Sequence, residues 1–372
     1  MMIDHDSVFM ARALQLARQG LYTTAPNPRV GCVLVKDGDT IAEGWHRWAG
    51  QAHAEIDALS RLDRIEDARG ATVYVTLEPC SHQGRTAPCC DALIAAGVTR
   101  VVVAMQDPNP LVVGKGLKRL QAAGIEVVCG VLEAESRRLN RGFISRMVRH
   151  KPFVCSKLAM SLDGRTALAS GESRWITSPQ ARTDVQQGRA ESDAILTGID
   201  TVLADDPSLN VRIESEVKQP VRIVLDSNLR MPPQARMLTL PGETWVVTAC
   251  YDKTQWQPLL DAGCHIEYIE PHQGRVDLAK VMRLLADRQI NNVWVEAGAR
   301  LNGALLAADQ VDEWRIYLAP CVLGDQALGA FALPALQSMA QCKRLRFTDV
   351  RHLGPDLRLT LTMAESGSDA SG

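Results

Sequence analysis

The chain has 372 residues, which is too long for one ordinary hydrophobic core, so two domains are expected. Hydrophobic residues make up 46% and charged residues 23%, and the net charge of −2 gives no basic field that would attract nucleic acid. Ten cysteines do not make a disulfide framework at this length. The sequence shows neither a secretory signal nor an apolar run of roughly 20 residues. A cytoplasmic protein without membrane or nucleic-acid partners is therefore expected.

Strand and helix patterns alternate along the first half of the chain. Apolar spacing, β-branched runs and turn residues predict helices over 7–18, 52–62, 89–96 and 117–123, and strands over 31–35, 40–44, 72–76, 100–105 and 125–129. One long helix is predicted over 133–149, and its basic C-terminal end suits the helix dipole. Lys151-Pro152 breaks that pattern. The alternation predicts an α/β domain over 1–149 with helices on both faces of a sheet.

The second half begins with a new strand and alternates again. Strands are predicted over 153–159, 194–197, 221–226, 244–248, 293–296 and 314–319, and helices over 179–190, 277–288 and 299–308. The segments 344–347 and 357–362 are expected to form a closing antiparallel pair. A second α/β domain is therefore predicted over 150–372, with a frayed, disordered tail at about 365–372.

Four residues of the first half form a candidate zinc site. His53, Cys80 and Cys89 supply an imidazole and two thiolates, which leave a fourth zinc position open for water. Glu55, two residues after the histidine, can manage the protons of that water, as in zinc-dependent nucleobase deaminases. Each residue alone is more often structural, whereas the ordered set favours a metal site. The spacing from Cys80 to Cys89 is longer than usual, and Cys90 is a competing ligand.

Asn27 lies in the Pro-rich turn APNPRVG that precedes the first strand. Its amide could read the edge of a base or a sugar hydroxyl. An ordinary turn residue is an equally good interpretation, because asparagine is frequent in turns for local reasons.

The extended string TLEPCSHQGRTAPCC over 76–90 resembles one family, the bifunctional riboflavin-biosynthesis deaminase/reductases, whose deaminase domain has the longer spacing between cysteines. Three strings of the second half resemble the same family independently: KLAMSLDGR over 157–165, SGESRWIT over 170–177 and TVLADDP over 201–207. The resemblance covers the chain except its two ends, and both motif sets occur in the family's order.

The resemblance implies a cytidine-deaminase-like α/β/α domain followed by a dihydrofolate-reductase-like α/β domain. It implies hydrolytic deamination of 2,5-diamino-6-ribosylamino-4(3H)-pyrimidinone 5′-phosphate with zinc. Reduction of the ribosyl group with NADPH would then give 5-amino-6-ribitylaminouracil 5′-phosphate. His53, Cys80 and Cys89 match the zinc ligands and Glu55 matches the proton shuttle. A small-molecule substrate and a homo-oligomer are also implied.

In the second half the resemblance places cofactor and substrate contacts at defined positions. The positions that match cofactor contacts are Ala159, Trp175, Thr201, Asp205, Ser227, Gly298, Ala299, Arg300, Leu301, Asn302, Gly303 and Ala304. The positions that match substrate contacts, besides the candidate Asn27, are Ser173, Arg189, Leu209, Arg212 and Glu296.

These reductase positions have a physical rationale. Arg189 and Arg212 suit a phosphate through the fork geometry of arginine, and Gly298 opens a helix whose free N–H groups can face a pyrophosphate. Without the family, the arginines would be ordinary surface residues and Trp175 could equally be core. Asp200 stands where a small residue is more usual, and we expect its charge to weaken the affinity for NADPH.

Two rival hypotheses make different predictions. A nucleic-acid base deaminase with an unrelated second domain would show a basic face and stacking aromatic residues, and the aromatic content of 5% argues against it. A non-catalytic scaffold with a structural zinc would close the metal with four protein ligands and would have no use for Glu55.

Overall fold

The computed structural model describes residues 5–81, 88–110 and 112–364. The chain divides into two compact units, Met1–Lys151 and Pro152–Gly372. The expected tail at 365–372 and residues 82–87 of the cysteine motif lie outside the described residues. Within the described ranges, no helix combines the length and apolarity that a membrane crossing requires. The assignment of 1–149 to deamination and 150–372 to reduction stays a prediction.

The first unit is built on a five-stranded sheet. Its elements are α1 (His5–Arg18), β1 (Gly31–Lys36), β2 (Asp39–Trp45), α2 (Ala54–Leu59), β3 (Thr72–Val75), α3 (Cys89–Ala95), β4 (Arg100–Val103), α4 (Lys115–Ala122), β5 (Glu126–Cys129), α5 (Glu133–Leu139) and α6 (Arg141–Arg149). The strand order is β2-β1-β3-β4-β5. Strand β1 runs antiparallel to both neighbours, and β3, β4 and β5 are parallel.

Two apolar cores cover the two faces of this sheet. Successive side chains of a strand point to opposite faces, so Cys32 and Leu34 pack with α2, α3 and α4, while Val33 and Val35 pack with α1. The burial of β1 on both faces explains why its sequence is almost continuously apolar. The predicted α/β/α arrangement is confirmed.

The single helix predicted over 133–149 is wrong. Asn140 lies between α5 and α6 with non-helical backbone angles of φ −109° and ψ 21°. Its buried side chain accepts a hydrogen bond from the Arg29 N–H at 2.8 Å and donates to the Arg29 carbonyl at 3.0 Å. This tertiary clamp, between residues far apart in the chain, outweighs the local preference for a continuous helix.

The second unit contains a nine-stranded sheet. Its elements are β6 (Phe153–Ser161), β7 (Arg165–Ala167), α7 (Pro179–Ala190), β8 (Ala194–Gly198), α8 (Ile199–Asp205), β9 (Val221–Leu225), β10 (Thr244–Thr248), α9 (Gln257–Asp261), β11 (His265–Tyr268), β12 (Pro271–His272), β13 (Arg275–Val276), α10 (Leu278–Asp287), β14 (Asn292–Glu296), α11 (Ala299–Ala307), β15 (Glu313–Ala319), β16 (Leu328–Gly329), β17 (Leu345–Leu353) and β18 (Asp356–Met363). The strand order is β11-β10-β9-β8-β14-β6-β15-β18-β17.

The first seven strands in that order are parallel. The β17–β18 hairpin closes the sheet, with β18 antiparallel to both β15 and β17. The predicted closing pair is therefore present, although β17 is longer than expected. Parallel strands bring their C-terminal ends to one edge of the sheet, where α/β proteins place their ligands. Strands β9, β8 and β14 are neighbours at that edge, and α8 and α11 begin there directly after β8 and β14.

Candidate functional site

Three metal-binding side chains of the first unit converge on one point. His53 is the N-cap of α2, Cys80 follows β3, and Cys89 is the first residue of α3. The His53 Nδ1 atom lies 3.7 Å from the Cys80 Sγ atom and 3.3 Å from the Cys89 Sγ atom. All three ligand atoms lie within 4.8 Å of one another. The turns at the ends of β3 and at the starts of α2 and α3 thus bring together residues that are distant in the sequence.

These distances fit a tetrahedral zinc ion. A tetrahedral zinc ion has Zn–N distances of about 2.0 Å and Zn–S distances of about 2.3 Å, which place a nitrogen ligand and a sulfur ligand roughly 3.5 Å apart. The two N–S distances of the cluster, 3.7 and 3.3 Å, lie on either side of that value. One imidazole and two thiolates are also the donor types that zinc prefers. The residues therefore fit a zinc ion with a position left for water.

The structure separates Cys89 from its competitor Cys90. The Cys90 thiol packs in the apolar core and donates to the carbonyl oxygen atoms of Pro79 at 3.3 Å and Gly116 at 3.6 Å. Adjacent residues at the start of a helix point in different directions, so only one of the two can face His53. Cys89 is the one in the cluster.

Glu55 lies in the first turn of α2 and is 3% exposed. Its depth depends on the close approach of α2 to β2. Gly44 of β2 is buried under the helix, and a Cβ atom there would lie 2.3 Å from the Ala58 nitrogen and 2.6 Å from the Ala54 carbonyl oxygen. No side chain fits between strand and helix at this position. Gly44 therefore sets how far the helix, with its carboxylate, lies from the sheet.

The titrating groups of the cluster shift one another. Cys80 accepts a hydrogen bond from the Cys89 thiol, which holds the pKa of Cys80 at about 4. A second hydrogen bond, between Cys80 and His53, raises the pKa of His53. The hydrogen bond between the two cysteines, together with burial, raises the pKa of Cys89. Burial raises the pKa of Glu55, while the nearby His53 opposes that rise. The Cys89 backbone N–H also donates to the Cys80 sulfur at 3.2 Å, which favours the thiolate.

Asn27 has a defined orientation beside this cluster. The buried His46 ring lies edge-on to the His53 ring, 5.6 Å between centroids, and its Nδ1 atom donates to the Ala52 carbonyl at 2.9 Å. That bond makes Nε2 an acceptor, and the Asn27 amide nitrogen donates to it at 3.1 Å. The Asn27 amide is thus fixed through His46, a residue that the sequence analysis did not select. The only local signal for it is a histidine one residue after a strand.

Glu78 supports the loop that carries Cys80. Its carboxylate is buried and accepts three backbone N–H bonds, from Asp107 at 3.1 Å, Gly114 at 2.9 Å and Gly116 at 2.8 Å. The carboxylate therefore caps the start of α4, where a negative charge is favourable. Glu78 joins three segments directly beside a metal ligand.

The predicted cofactor residues of the second unit lie at the C-terminal edge of its sheet or in the loops that follow. Thr201 and Asp205 belong to α8, Ser227 follows β9, and Ala159 lies in β6. Trp175 is 71% exposed, so it is not a core residue, and the Arg182 guanidinium stacks on its ring at 4.4 Å.

The predicted run from Gly298 to Ala304 divides into two parts. Gly298 is the exposed N-cap of α11, and the first N–H groups of that helix have no partner within the helix. Asn302 is fully buried and bonds to Ser156 at 2.7 Å and to the Ala297 carbonyl at 2.8 Å. Gly303 packs against the Ala332 backbone. The start of the run can face a pyrophosphate, while Asn302 and Gly303 fix the helix.

Arg189, a predicted substrate contact, is held in an ion pair at the end of α7. Its guanidinium forms a two-point ion pair with Glu296, at 2.5 and 2.9 Å, and donates to the Asn210 carbonyl at 2.9 Å. Burial alone would raise the pKa of Glu296, but Arg189 holds it at about 2. Lys157, the partner of Glu296 across β6 and β14, was not selected from the sequence, and burial lowers its pKa.

The other predicted substrate residues differ in how exposed they are. Arg212 is exposed and donates to the Asn210 side chain at 2.7 Å, so its guanidinium can reach a ligand. Ser173 is half-buried in the loop before Trp175, and Leu209 is buried with a positive φ of 43°. Of the two predicted phosphate-binding arginines, Arg212 is the accessible one.

Asp200 lies in the first turn of α8 and is not an isolated charge. Its carboxylate pairs with Arg230 at 2.8 Å and with Arg300 at 3.5 Å. The Arg230 hydrogen bond is the main reason why the pKa of Asp200 is lowered. The repulsion of cofactor phosphates that the sequence suggested is therefore offset by two neighbouring cations.

Two family models match the chain. Residues 3–105 match the cytidine and deoxycytidylate deaminase zinc-binding region, and residues 152–359 match the RibD C-terminal domain. The chain is 52% identical over 371 residues to the riboflavin biosynthesis protein RibD of Escherichia coli K12, covering 96% of this chain and 100% of that protein. It is 50% identical over 370 residues to RibD of Haemophilus influenzae, covering 96% of this chain and 97% of that protein.

Solved structures are similar over the same extent. Acinetobacter baumannii RibD, form 1, superimposes with a TM-score of 0.91 at 46% identity, covering 98% of this chain and 100% of that chain. A diaminohydroxyphosphoribosylaminopyrimidine deaminase/5-amino-6-(5-phosphoribosylamino)uracil reductase from Thermotoga maritima superimposes with a TM-score of 0.86 at 33% identity, covering 97% and 99%. Both units of the chain are thus matched, in the same order.

Proposed function

Because the chain belongs to the RibD family of riboflavin-biosynthesis proteins, we propose that His53, Cys80 and Cys89 bind its catalytic zinc and that Glu55 is its proton shuttle. The protein is a bifunctional enzyme that uses zinc and NADPH. It deaminates 2,5-diamino-6-ribosylamino-4(3H)-pyrimidinone 5′-phosphate and then reduces the ribosyl group to give 5-amino-6-ribitylaminouracil 5′-phosphate. The observation that carries the residue assignment is the three-ligand cluster beside a buried carboxylate.

In the deamination, a bound zinc ion supplies the Lewis acidity that lets water lose a proton near neutral pH. The Glu55 carboxylate would accept that proton and donate it to a ring nitrogen. It would then take the second proton of the water, from the hydroxyl added to the ring carbon, and donate it to the amino group, which leaves as ammonia. Burial favours this role because a carboxylate in an apolar setting holds a proton more readily than one in water. Asn27, whose amide nitrogen is held by His46, offers its amide oxygen to the edge of the pyrimidine.

In the reduction, NADPH supplies the hydride, and the chain binds and orients the two reactants. The N–H groups at the start of α11 face the pyrophosphate, Trp175 lies beside the cofactor, and Arg212 binds the substrate phosphate. Arg189 keeps Glu296 ionised and in place at the end of β14. Glu296 then accepts hydrogen bonds from the ribosyl hydroxyls.

The remaining cofactor contacts that we propose are Ala159, Thr201, Asp205, Ser227 and the run from Gly298 to Ala304. Ser173, Arg189 and Leu209 complete the substrate contacts. We also propose a homo-oligomer in the cytoplasm. All ten cysteines are unpaired as disulfides, which suits a reducing compartment.

The experiment follows ammonia release and NADPH oxidation together, using zinc-loaded protein and the diaminopyrimidine ribosylamino phosphate. Wild type should give both signals in that order. Glu55→Gln should retain zinc yet release no ammonia, and NADPH oxidation should return when the deaminated product is added directly. Glu66→Gln, the same change on an exposed carboxylate, is the matched control.

Each outcome identifies the part that fails. Ammonia released at the wild-type rate by Glu55→Gln would remove Glu55 from the mechanism. Loss of zinc in that variant would make Glu55 a structural residue of the metal site. Ammonia without NADPH oxidation in wild type would contradict the reductase assignment of the second unit.

A further inference from the structure

Three exposed charged side chains of the second unit form a chain of ion pairs at the edge that we propose binds NADPH, so the inference below rests on that proposed function. Asp200 pairs with Arg230 at 2.8 Å and with Arg300 at 3.5 Å. The three side chains are 56%, 48% and 79% exposed, in that order. Two cations against one anion leave this triad with a net positive charge that a ligand in solution can reach.

The three residues come from three neighbouring parallel strands. Arg230 lies in the turn after β9, Asp200 in the first turn of α8 after β8, and Arg300 in the first turn of α11 after β14. The starts of the two helices adjoin, because a Cβ atom on Gly198 would contact the Leu301 side chain at 3.4 Å. The triad therefore lies beside the helix start that we assign to the pyrophosphate.

The start of α11 favours an anion beside Arg300, and Asp200 supplies one carboxylate for two guanidinium groups. The first turn of a helix carries the positive end of the helix dipole, where a cation is disfavoured and an anion is favoured. The first turn of α11 contains no acidic residue that would offset this charge. A phosphate would reverse the sign of the interaction, because helix N–H groups and a guanidinium both bind anions.

Arg230 is held in place by the turn that carries it. Asp226 is fully buried at the end of β9, and its carboxylate accepts a hydrogen bond from the Met231 N–H at 2.8 Å. The Leu229 N–H donates to the Asp226 carbonyl at 3.2 Å. This turn directs Arg230 toward Asp200, and Ser227, a proposed cofactor contact, belongs to the same turn.

We propose that Arg230 and Arg300 form the subsite for the 2′-phosphate of NADPH and thereby select NADPH over NADH. The 2′-phosphate is the one group that distinguishes the two cofactors, and its charge approaches −2 near neutral pH, which two guanidinium groups can neutralise. The pyrophosphate, common to both cofactors, is bound by the helix N–H groups. Asp200 keeps the two guanidinium groups together until the phosphate displaces it.

The test compares cofactor affinities of the full-length zinc-loaded protein by titration of its tryptophan fluorescence. NADPH and NADH are titrated into wild type, Arg230→Met, Arg300→Met and the double variant. ADP-ribose, with and without a 2′-phosphate, serves as a second ligand pair that involves no hydride chemistry. Arg288→Met is the matched control, since Arg288 is an exposed arginine paired with Glu267 at 2.5 Å before β14 begins.

Each single substitution should weaken NADPH binding about tenfold, the loss of one charge-assisted phosphate contact, and leave NADH binding unchanged. The double variant should bind NADPH and NADH equally, and Arg288→Met should behave as wild type. Equal losses for both cofactors, or no loss for either, would overturn the 2′-phosphate subsite while leaving the cofactor site intact. A wild type that binds neither cofactor would instead overturn the proposed reductase site and the subsite together.

Discussion

Substitution of Glu78 by glutamine is predicted to weaken both the first unit and its hold on zinc. Glutamine keeps one acceptor oxygen and replaces the other with an NH₂ group. If the nitrogen takes the position of Oε1, Gly116 loses its acceptor, and in the reverse orientation Asp107 and Gly114 both do. The better orientation therefore still loses one charge-assisted bond in a buried site, which costs about 1.5–3 kcal/mol.

That loss should be measurable in two ways. Thermal unfolding of the first unit should shift down by roughly 3–10 °C for a unit of this size. Because Glu78 is two residues before Cys80, zinc affinity in a chelator competition should fall by about tenfold, as for other residues that support metal ligands.

The control for this prediction is Glu133→Gln. Glu133 is also in the first turn of a helix, but its side chain is 43% exposed and pairs with Arg137 at 2.6 Å, so its replacement should cost less than about 1 kcal/mol. If Glu78→Gln and Glu133→Gln unfold at the same temperature and hold zinc equally well, the carboxylate does not support the loop as argued.

Three further predictions concern the two sites. Cys89→Ala should lose zinc and ammonia release, whereas Cys90→Ala should keep the metal. Unfolding should show that Cys90→Ala lowers the free energy of unfolding by only roughly 1–2 kcal/mol, the cost of removing a small buried group. Equal zinc loss in both variants, by metal analysis, would contradict the assignment. Arg189→Met should destabilise the second unit by about 3–5 kcal/mol, because the largely buried Glu296 loses its two-point ion pair with the guanidinium, and adding Glu296→Gln should restore much of that stability in denaturant unfolding. Since the pKa of Glu296 is lowered to about 2 from an ordinary 4.5, its contribution is present above pH 4.5 and is lost as the pH falls toward 2, so the stability deficit of Arg189→Met should shrink over that acid range.

The sequence predicted those helices and strands that are determined by nearby residues, such as a helix cap or a first-turn proline. The helix over 179–190 has Ser178 as its N-cap, with the side chain accepting from the Ala181 N–H, and Pro179 as its first residue, both of which are readable from the sequence. Helix α8 was missed because Ile-Asp-Thr-Val-Leu-Ala-Asp is rich in β-branched and acidic residues. It is held by the packing of Ile199 and Val202 in the core. Tertiary packing, not local preference, decides such a segment.

The residues of the two candidate sites also fall into those that the sequence reveals and those that only the fold reveals. The zinc ligands could be selected because residue type and order carry the chemistry, even though their meeting point depends on the whole sheet. His46 and Lys157 could not be selected, since a single histidine or lysine acquires a role only from the residues that lie beside it. The same holds for Arg189, whose ion pair with Glu296 joins residues 107 positions apart. The sequence suggests a phosphate-binding arginine there, which stays a prediction, and it gives no sign of the ion pair.

Gly44 shows how a catalytic requirement can fall on a residue that takes no part in catalysis. A methyl group there would meet the backbone of α2 and move the helix that carries Glu55. Such a protein could still fold and accumulate in the cell, because a surface helix can shift while the sheet persists. In a survey of all single substitutions, selection for growth without added riboflavin should therefore reject changes at both Gly44 and Glu55, while selection for abundance alone should tolerate changes at both. Intolerance at this position would report the depth of an active-site carboxylate, and not the chemistry of glycine.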